Sequence, residues 1–142
     1  MIRLFLDANV FFAGFYSQTG ASSLILQLAS KKKWQIIVSS LVLHEADRNL
    51  RNKSDPKSCK AFHRYLQRNK IVVVPAPEEK ILNKIESLIH PKDVPVLAAA
   101  IASGSDFLLT LDRRHFLNPR VQASVRKPKI LTPGDFLQQQ LI

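Results

Sequence analysis

Five short apolar runs, separated by helix-forming sequence, constrain this chain's fold more than any other feature. They are Arg3–Leu6, Gln35–Val38, Ile71–Val74, Phe107–Thr110 and Lys129–Leu131. Runs of this length, rich in Val, Ile, Leu and Phe, read as buried strands. Between them, Ala21–Lys32 places Leu24, Ile25, Leu28 and Ala29 at helical spacing, with Lys31 to Lys33 at the negative end of the helix dipole. Ser39 or Ser40 caps a helix running to about Asn52, and Asp55-Pro56 starts another reaching about Asn69. Pro77, Glu78 and Glu79 open a helix to about Ile89. The apolar segment Val94–Ser103 ends at Gly104, and Pro133 starts a terminal helix. Only Arg113 to Pro128 reads as irregular. The alternation predicts a three-layer α/β/α sandwich around a central parallel sheet of about five strands, with residues 1–142 forming one domain.

Composition narrows the functional classes. At 46% apolar residues the chain can build a core, and its one cysteine, Cys59, permits neither an internal disulfide nor a zinc cluster. That fits a reducing, cytoplasmic setting. The longest apolar run, near Val94–Ile101, is far short of the ~20 residues a membrane span needs. Asp7 arrives too early for a signal peptide. The 21 basic and 11 acidic residues give a net charge of +10, which favours polyanionic partners through counterion release.

Against that basic background stand four carboxylates in apolar surroundings. Asp7 follows the first strand and Asp112 the fourth. In open α/β sheets the carboxyl ends of strands are where ligands bind, and the two acids lie side by side if those strands are neighbours. Each also reads as an ordinary cap. Glu45 shares a helix face with Leu41 and Val42, while Ala46 and Leu50 continue the apolar stripe; Asp47 falls on the outer side, and Glu45 also reads as a snorkelling residue paired with Arg48 or another basic residue. Asp93, in Pro-Lys-Asp-Val-Pro, opens the apolar helix as a cap, a ligand, or both. Clustered carboxylates repel and raise one another's pKa, and a divalent cation relieves them. An all-oxygen donor set selects Mg²⁺ or Mn²⁺ over zinc. Asn9 and Thr110 are placed to support the acids, with a turn role equally open for Asn9. Arg113 and Arg114, with His115, follow Asp112 and are placed to hold substrate phosphate or to form a solvated basic turn. His44, His63 and His90 show no ligand spacing.

At these residues the chain resembles the PIN-domain ribonucleases, most of all the prokaryotic members described as toxins of toxin–antitoxin pairs. The matching segments are Leu-Phe-Leu-Asp-Ala-Asn-Val, Ser-Ser-Leu-Val-Leu-His-Glu, the stretch from Asp93-Val-Pro-Val through Leu-Leu-Thr-Leu-Asp, and the closing Lys-Ile-Leu-Thr-Pro-Gly-Asp-Phe-Leu. The resemblance implies that Asp7, Glu45, Asp93 and Asp112 bind Mg²⁺ or Mn²⁺, as one ion or two. It further implies hydrolysis of single-stranded RNA phosphodiesters by water without a covalent intermediate, an antitoxin protein as partner, and a homodimer. Asp106 lies at the start of the fourth strand, on the wrong edge of the sheet, and is left out as a turn residue.

Two other classes compete with a nuclease. A non-catalytic PIN-like RNA-binding module would use the basic surface and leave the acids structural; absence of Mn²⁺ binding would mark it. A phosphatase or phosphotransfer domain of similar build fits less well. Asn9 stands where a phosphatase of the haloacid-dehalogenase type needs a second Asp, and Pro75 where a receiver domain needs its phosphoacceptor.

Overall fold

A computed structural model describes residues 1–141. Its five parallel strands are β1 (Arg3–Leu6), β2 (Gln35–Ser39), β3 (Val72–Val74), β4 (Phe107–Leu109) and β5 (Lys129–Leu131), in the order β3-β2-β1-β4-β5. Leu4, Phe5, Leu6, Ile37, Leu108 and Leu109 are fully buried. The central strands are therefore covered on both faces, which is why their sequence is continuously apolar rather than alternating. β3 is different. It reads as a clear strand because of its valines, yet it lies at the sheet edge with Val72 and Val73 half exposed.

Eight helices surround the sheet among the described residues: α1 (Ala8–Tyr16), α2 (Ala21–Ser30), α3 (Ser40–Lys53), α4 (Pro56–Arg68), α5 (Glu79–Ile85), α6 (Val94–Ser103), α7 (Pro119–Ser124) and α8 (Pro133–Leu141). α1 packs on α2, α3 and α4, while α5 packs on α6. The chain leaves β1 toward β2 and β3, then returns to the other side of β1 at β4. Right-handed crossovers put the helices of those two excursions on opposite faces. The three-layer sandwich is thus as the alternation predicts. Among the described residues no helix is long and apolar enough to cross a membrane.

Four local readings need correction. α1 is absent from the sequence-based order, because Ala-Asn-Val-Phe-Phe-Ala-Gly-Phe-Tyr is apolar nearly all round and offers no helical stripe to detect. α5 stops at Ile85, short of Ile89, and α2 stops at Ser30. The stretch Arg113 to Pro128 contains α7, whose start is capped by the Asn118 side chain accepting from the Val121 N–H at 2.9 Å. Other signals hold at residue level. Asp55 caps α4 through the Ser58 N–H at 2.7 Å, and Gly104 ends α6 at φ 68°, a left-handed conformation that glycine adopts without steric cost.

The order β2-β1-β4 fixes where a ligand belongs. The chain's connections run in opposite directions from the β1/β4 boundary, so a crevice opens there at the strand carboxyl ends.

Candidate active site

Asp7 stands at that crevice because β1 ends there. Leu6 is in register with Leu109, and the Asp7 N–H donates to the Leu109 carbonyl at 3.0 Å. Asp7 therefore faces Thr110 across the two strands. Its Oδ1 accepts the Ala8 N–H at 2.7 Å, capping α1, and its Oδ2 accepts the Thr110 hydroxyl at 2.8 Å. Asn9 reaches the same cluster. Its Nδ2 donates to Thr110 Oγ1 at 3.3 Å and Asp7 Oδ2 at 3.4 Å, while its Oδ1 accepts the Leu111 N–H at 3.1 Å. Both supporting candidates thus lie against Asp7. Asn9 sits in the first turn of α1 and is no mere turn former.

The other acids arrive from three further elements. Ser39 caps α3, accepting the Val42 N–H at 3.3 Å, and so sets the rotation of the helix that carries Glu45. Val42, Ala46 and Leu50 form the buried stripe, with Glu45 half-buried at its margin; Leu41 is on the solvent side, contrary to its assignment to that stripe. Asp112 follows β4 through Thr110, whose Oγ1 accepts the Asp112 N–H at 3.1 Å. Asp93 ends a single 3-10 turn, Pro91–Asp93, and its carboxylate makes no cap to α6. It lies instead 2.8 Å from His115 Nδ1, with Asp112 Oδ2 at 3.4 Å from the same nitrogen. An ionised carboxylate only accepts, so Nδ1 carries the proton and donates. Asp112 Oδ1 also accepts the His115 N–H at 2.9 Å.

All four carboxylates line one pocket of about 220 Å³, together with Asn9, Asn49, Lys92 and His115. Burial, above all, pushes the Asp7 carboxyl up to about 6, with Glu45 and Asp93 adding to the rise, while the Thr110 and Ala8 hydrogen bonds pull it down. This is an oxygen-rich site with an unfavourable concentration of negative charge, which suits a hard divalent cation. Among the described residues, no three of the four carboxylates offer ligand atoms within 4.8 Å of one another. Mg²⁺ retains several waters and binds through one or two carboxylates plus phosphate, so a closed protein cage is not required.

The sequence hides the part that histidine plays here. His90, Asp93 and His115 present ligand atoms within 4.8 Å of one another, and the His90 and His115 rings stack with centroids 4.8 Å apart. The first and third are 25 positions apart, so only the fold reveals the pair. His90 Nδ1 accepts the Lys92 N–H at 3.1 Å, which commits that nitrogen to the turn. Asn49 is a further addition, although it follows Glu45 by four residues on α3 and so shares its face. Arg113 lines neither the acidic pocket nor its neighbour, whereas Arg114 lines the neighbour. Asp106, set aside as a turn residue, accepts the Arg3 N–H at 2.8 Å at the opposite end of the strands.

A family model described as "PIN domain" matches residues 3–114, which include all four acids. Comparison with curated proteins gives no match. Among solved structures, the chain is similar to one in the crystal structure of VapBC2 from Rickettsia felis bound to a DNA fragment from their promoter. The two share 18% sequence identity at a TM-score of 0.63, over 92% of this chain and 98% of that chain.

Proposed function

This chain belongs to the PIN-domain family, and from that premise we propose that it is a metal-dependent endoribonuclease, the toxin of a toxin–antitoxin pair, acting on single-stranded RNA. The observation that carries the reading is the convergence of Asp7, Glu45, Asp93 and Asp112, from four separate elements, on one pocket at the β1/β4 crevice. Those four carboxylates would hold Mg²⁺ or Mn²⁺, their all-oxygen donor set being the one such ions prefer. When bound, the ion supplies charge stabilisation to the attacked phosphate and lowers the pKa of a coordinated water.

The chain's own residues do the positioning. Thr110 and Asn9 orient Asp7, and His115 orients Asp93 and Asp112. Lys92 is a cation on the pocket wall, and Arg114 lines the pocket just outside it, both available to phosphate. In the reaction, water oxygen bonds to phosphorus, the P–O bond to the leaving nucleotide breaks, and the departing oxygen takes up a proton.

The test is cleavage of a single-stranded RNA with added Mn²⁺ or Mg²⁺, by wild type and by Asp7→Asn and Asp93→Asn. Metal-dependent cleavage by wild type and its loss in both variants is the expected result; equal cleavage by all three would overturn the reading. The toxin role draws on the resemblance to toxin members and on the shared fold with a VapBC2 chain. Its test is growth arrest on induction, absent for Asp7→Asn and relieved by a co-expressed protein that copurifies with the chain. A homodimer is part of the same reading and is checked by sedimentation.

A further inference from the structure

The acidic pocket does not close at His115. The same ring lines a neighbouring pocket of about 470 Å³, together with His90, Arg114 and Arg120. That pocket in turn shares Ser87, Leu88 and Arg120 with a third, of about 580 Å³, whose far wall is Lys84, Arg126 and Lys127. Shared lining residues place the three side by side, as one concave band. It runs from the four carboxylates, past the His90–His115 pair, between α5 and α7, to the segment that enters β5.

Charge changes sign along this path. The two outer pockets are lined by Lys84, Arg114, Arg120, Arg126 and Lys127 and by no Asp or Glu. Lys127 lies 3.7 Å from Asp106; the other four have no carboxylate partner among the described residues. Arg120 donates to the Ser87 carbonyl at 3.0 Å, which fixes its guanidinium at the junction of the two pockets without neutralising it. A concave surface of one sign focuses its field and concentrates a polyanion. At the boundary with the acidic pocket, His90 is exposed and stacked nearly parallel on His115, at 11°. An exposed aromatic ring face is the kind of surface on which unpaired bases stack.

We propose that this groove is the track along which a single-stranded nucleic acid reaches the acidic pocket, with backbone phosphates on Lys84, Arg114, Arg120 and Arg126 and a base against His90. What happens to the strand at the acidic end rests on the nuclease reading; the binding does not.

The experiment is therefore fluorescence anisotropy of a labelled 20-nucleotide RNA in EDTA, where cleavage plays no part. Lys84→Gln/Arg126→Gln removes two exposed groove cations. Lys31→Gln/Lys33→Gln removes the same charge beyond the end of α2, away from the groove. Single-strand binding scales with salt to a power of about −0.7 per phosphate contact, so each lost contact costs roughly fivefold in affinity at 0.1 M salt. The groove variant is expected to weaken binding about 25-fold and to flatten the salt slope by about 1.4, with a much smaller change in the other pair. His90→Ala is expected to narrow the preference for the single strand over a duplex of the same length. Equal losses in the two double variants would mean that overall charge alone binds RNA, and no loss in the groove variant would mean that the strand lies elsewhere. Either result overturns the track. Failure of Mn²⁺-dependent cleavage would overturn the nuclease reading and leave the binding result standing.

Discussion

The His115 Nδ1–H donates to the Asp93 carboxylate at 2.8 Å, and this bond replaces the helix cap that Asp93 does not make. Asp112 stands at 3.4 Å from the same nitrogen, so one imidazole holds two acids that are 19 positions apart. Groups that orient metal ligands contribute about 10–100-fold to affinity. His115→Ala is expected to weaken Mn²⁺ binding by that factor in calorimetry while the far-UV spectrum stays native. Undiminished affinity would show that the acids need no such support.

Asp7 makes a prediction about pH. Its carboxyl is raised from 3.8 to about 6, first by burial and then by Glu45 and Asp93. A raised folded pKa means that the native state holds the proton more tightly than the unfolded chain does. The stability this contributes is complete below about pH 4 and is lost as pH rises through about 6. The loss is on the order of 3 kcal/mol at neutral pH without metal, at 1.36 kcal/mol per unit. Asp7→Asn removes the charge at similar shape, so it should stabilise the metal-free protein at pH 8 by about 1–3 kcal/mol and do little at pH 4. Added Mn²⁺ should raise the wild-type Tm and leave that of the variant nearly unchanged. A variant less stable than wild type at pH 8 would remove the argument that this site stores electrostatic strain.

Thr110 joins three partners and is fully buried. It donates to Asp7 and accepts from the Asp112 N–H and from Asn9. Thr110→Val preserves the shape and strands those groups. Losing a buried partner in this way costs about 1–3 kcal/mol. The carboxyl of Asp7 should rise further, since the Thr110 bond is the largest influence lowering it. Thr110→Ser keeps the hydroxyl and should retain most of the metal affinity that the valine loses, which denaturation and calorimetry on the pair would show.

How much of this site is legible in the sequence depends on range. Asp7 and Asp112 can be matched from sequence, because a post-strand position is a local property and only the β1/β4 neighbourhood has to come from the fold. Glu45 is visible through helical spacing, although the stripe beside it is Val42, Ala46 and Leu50 and does not include Leu41. The prolines around Asp93 suit a cap as well as a ligand, but a tertiary partner claims its carboxylate. α1 escapes detection because it begins directly at Asp7 without a linker and buries Ala8, Val10, Phe11 and Gly14 in a stretch with little polar contrast. The basic groove is invisible for a related reason. Lys84, Arg114 and Arg126 belong to separate segments, and only folding lines them up.

Lys32 has φ 64°, the sole positive value outside glycine among the described residues. Its N–H donates to the Ala29 carbonyl at 2.9 Å, and the Lys33 N–H donates to that of Leu28 at 3.0 Å. This is the two-bond closure that ends many helices, with lysine where glycine is usual. The left-handed conformation costs an L-residue about 1–2 kcal/mol. Glycine would relieve it but lose about 0.5–1 kcal/mol through greater freedom when unfolded. The relief is the larger of the two, so Lys32→Gly should stabilise by about 0.5–1 kcal/mol, a rise of roughly 1–4 °C in Tm for a chain of this size. Removing one of three adjacent lysines could stabilise in another way, by easing charge repulsion. Lys32→Ala separates the causes, because it removes the charge and keeps the Cβ. A gain confined to glycine assigns the strain to the backbone, whereas equal gains in both variants would assign it to the lysine cluster.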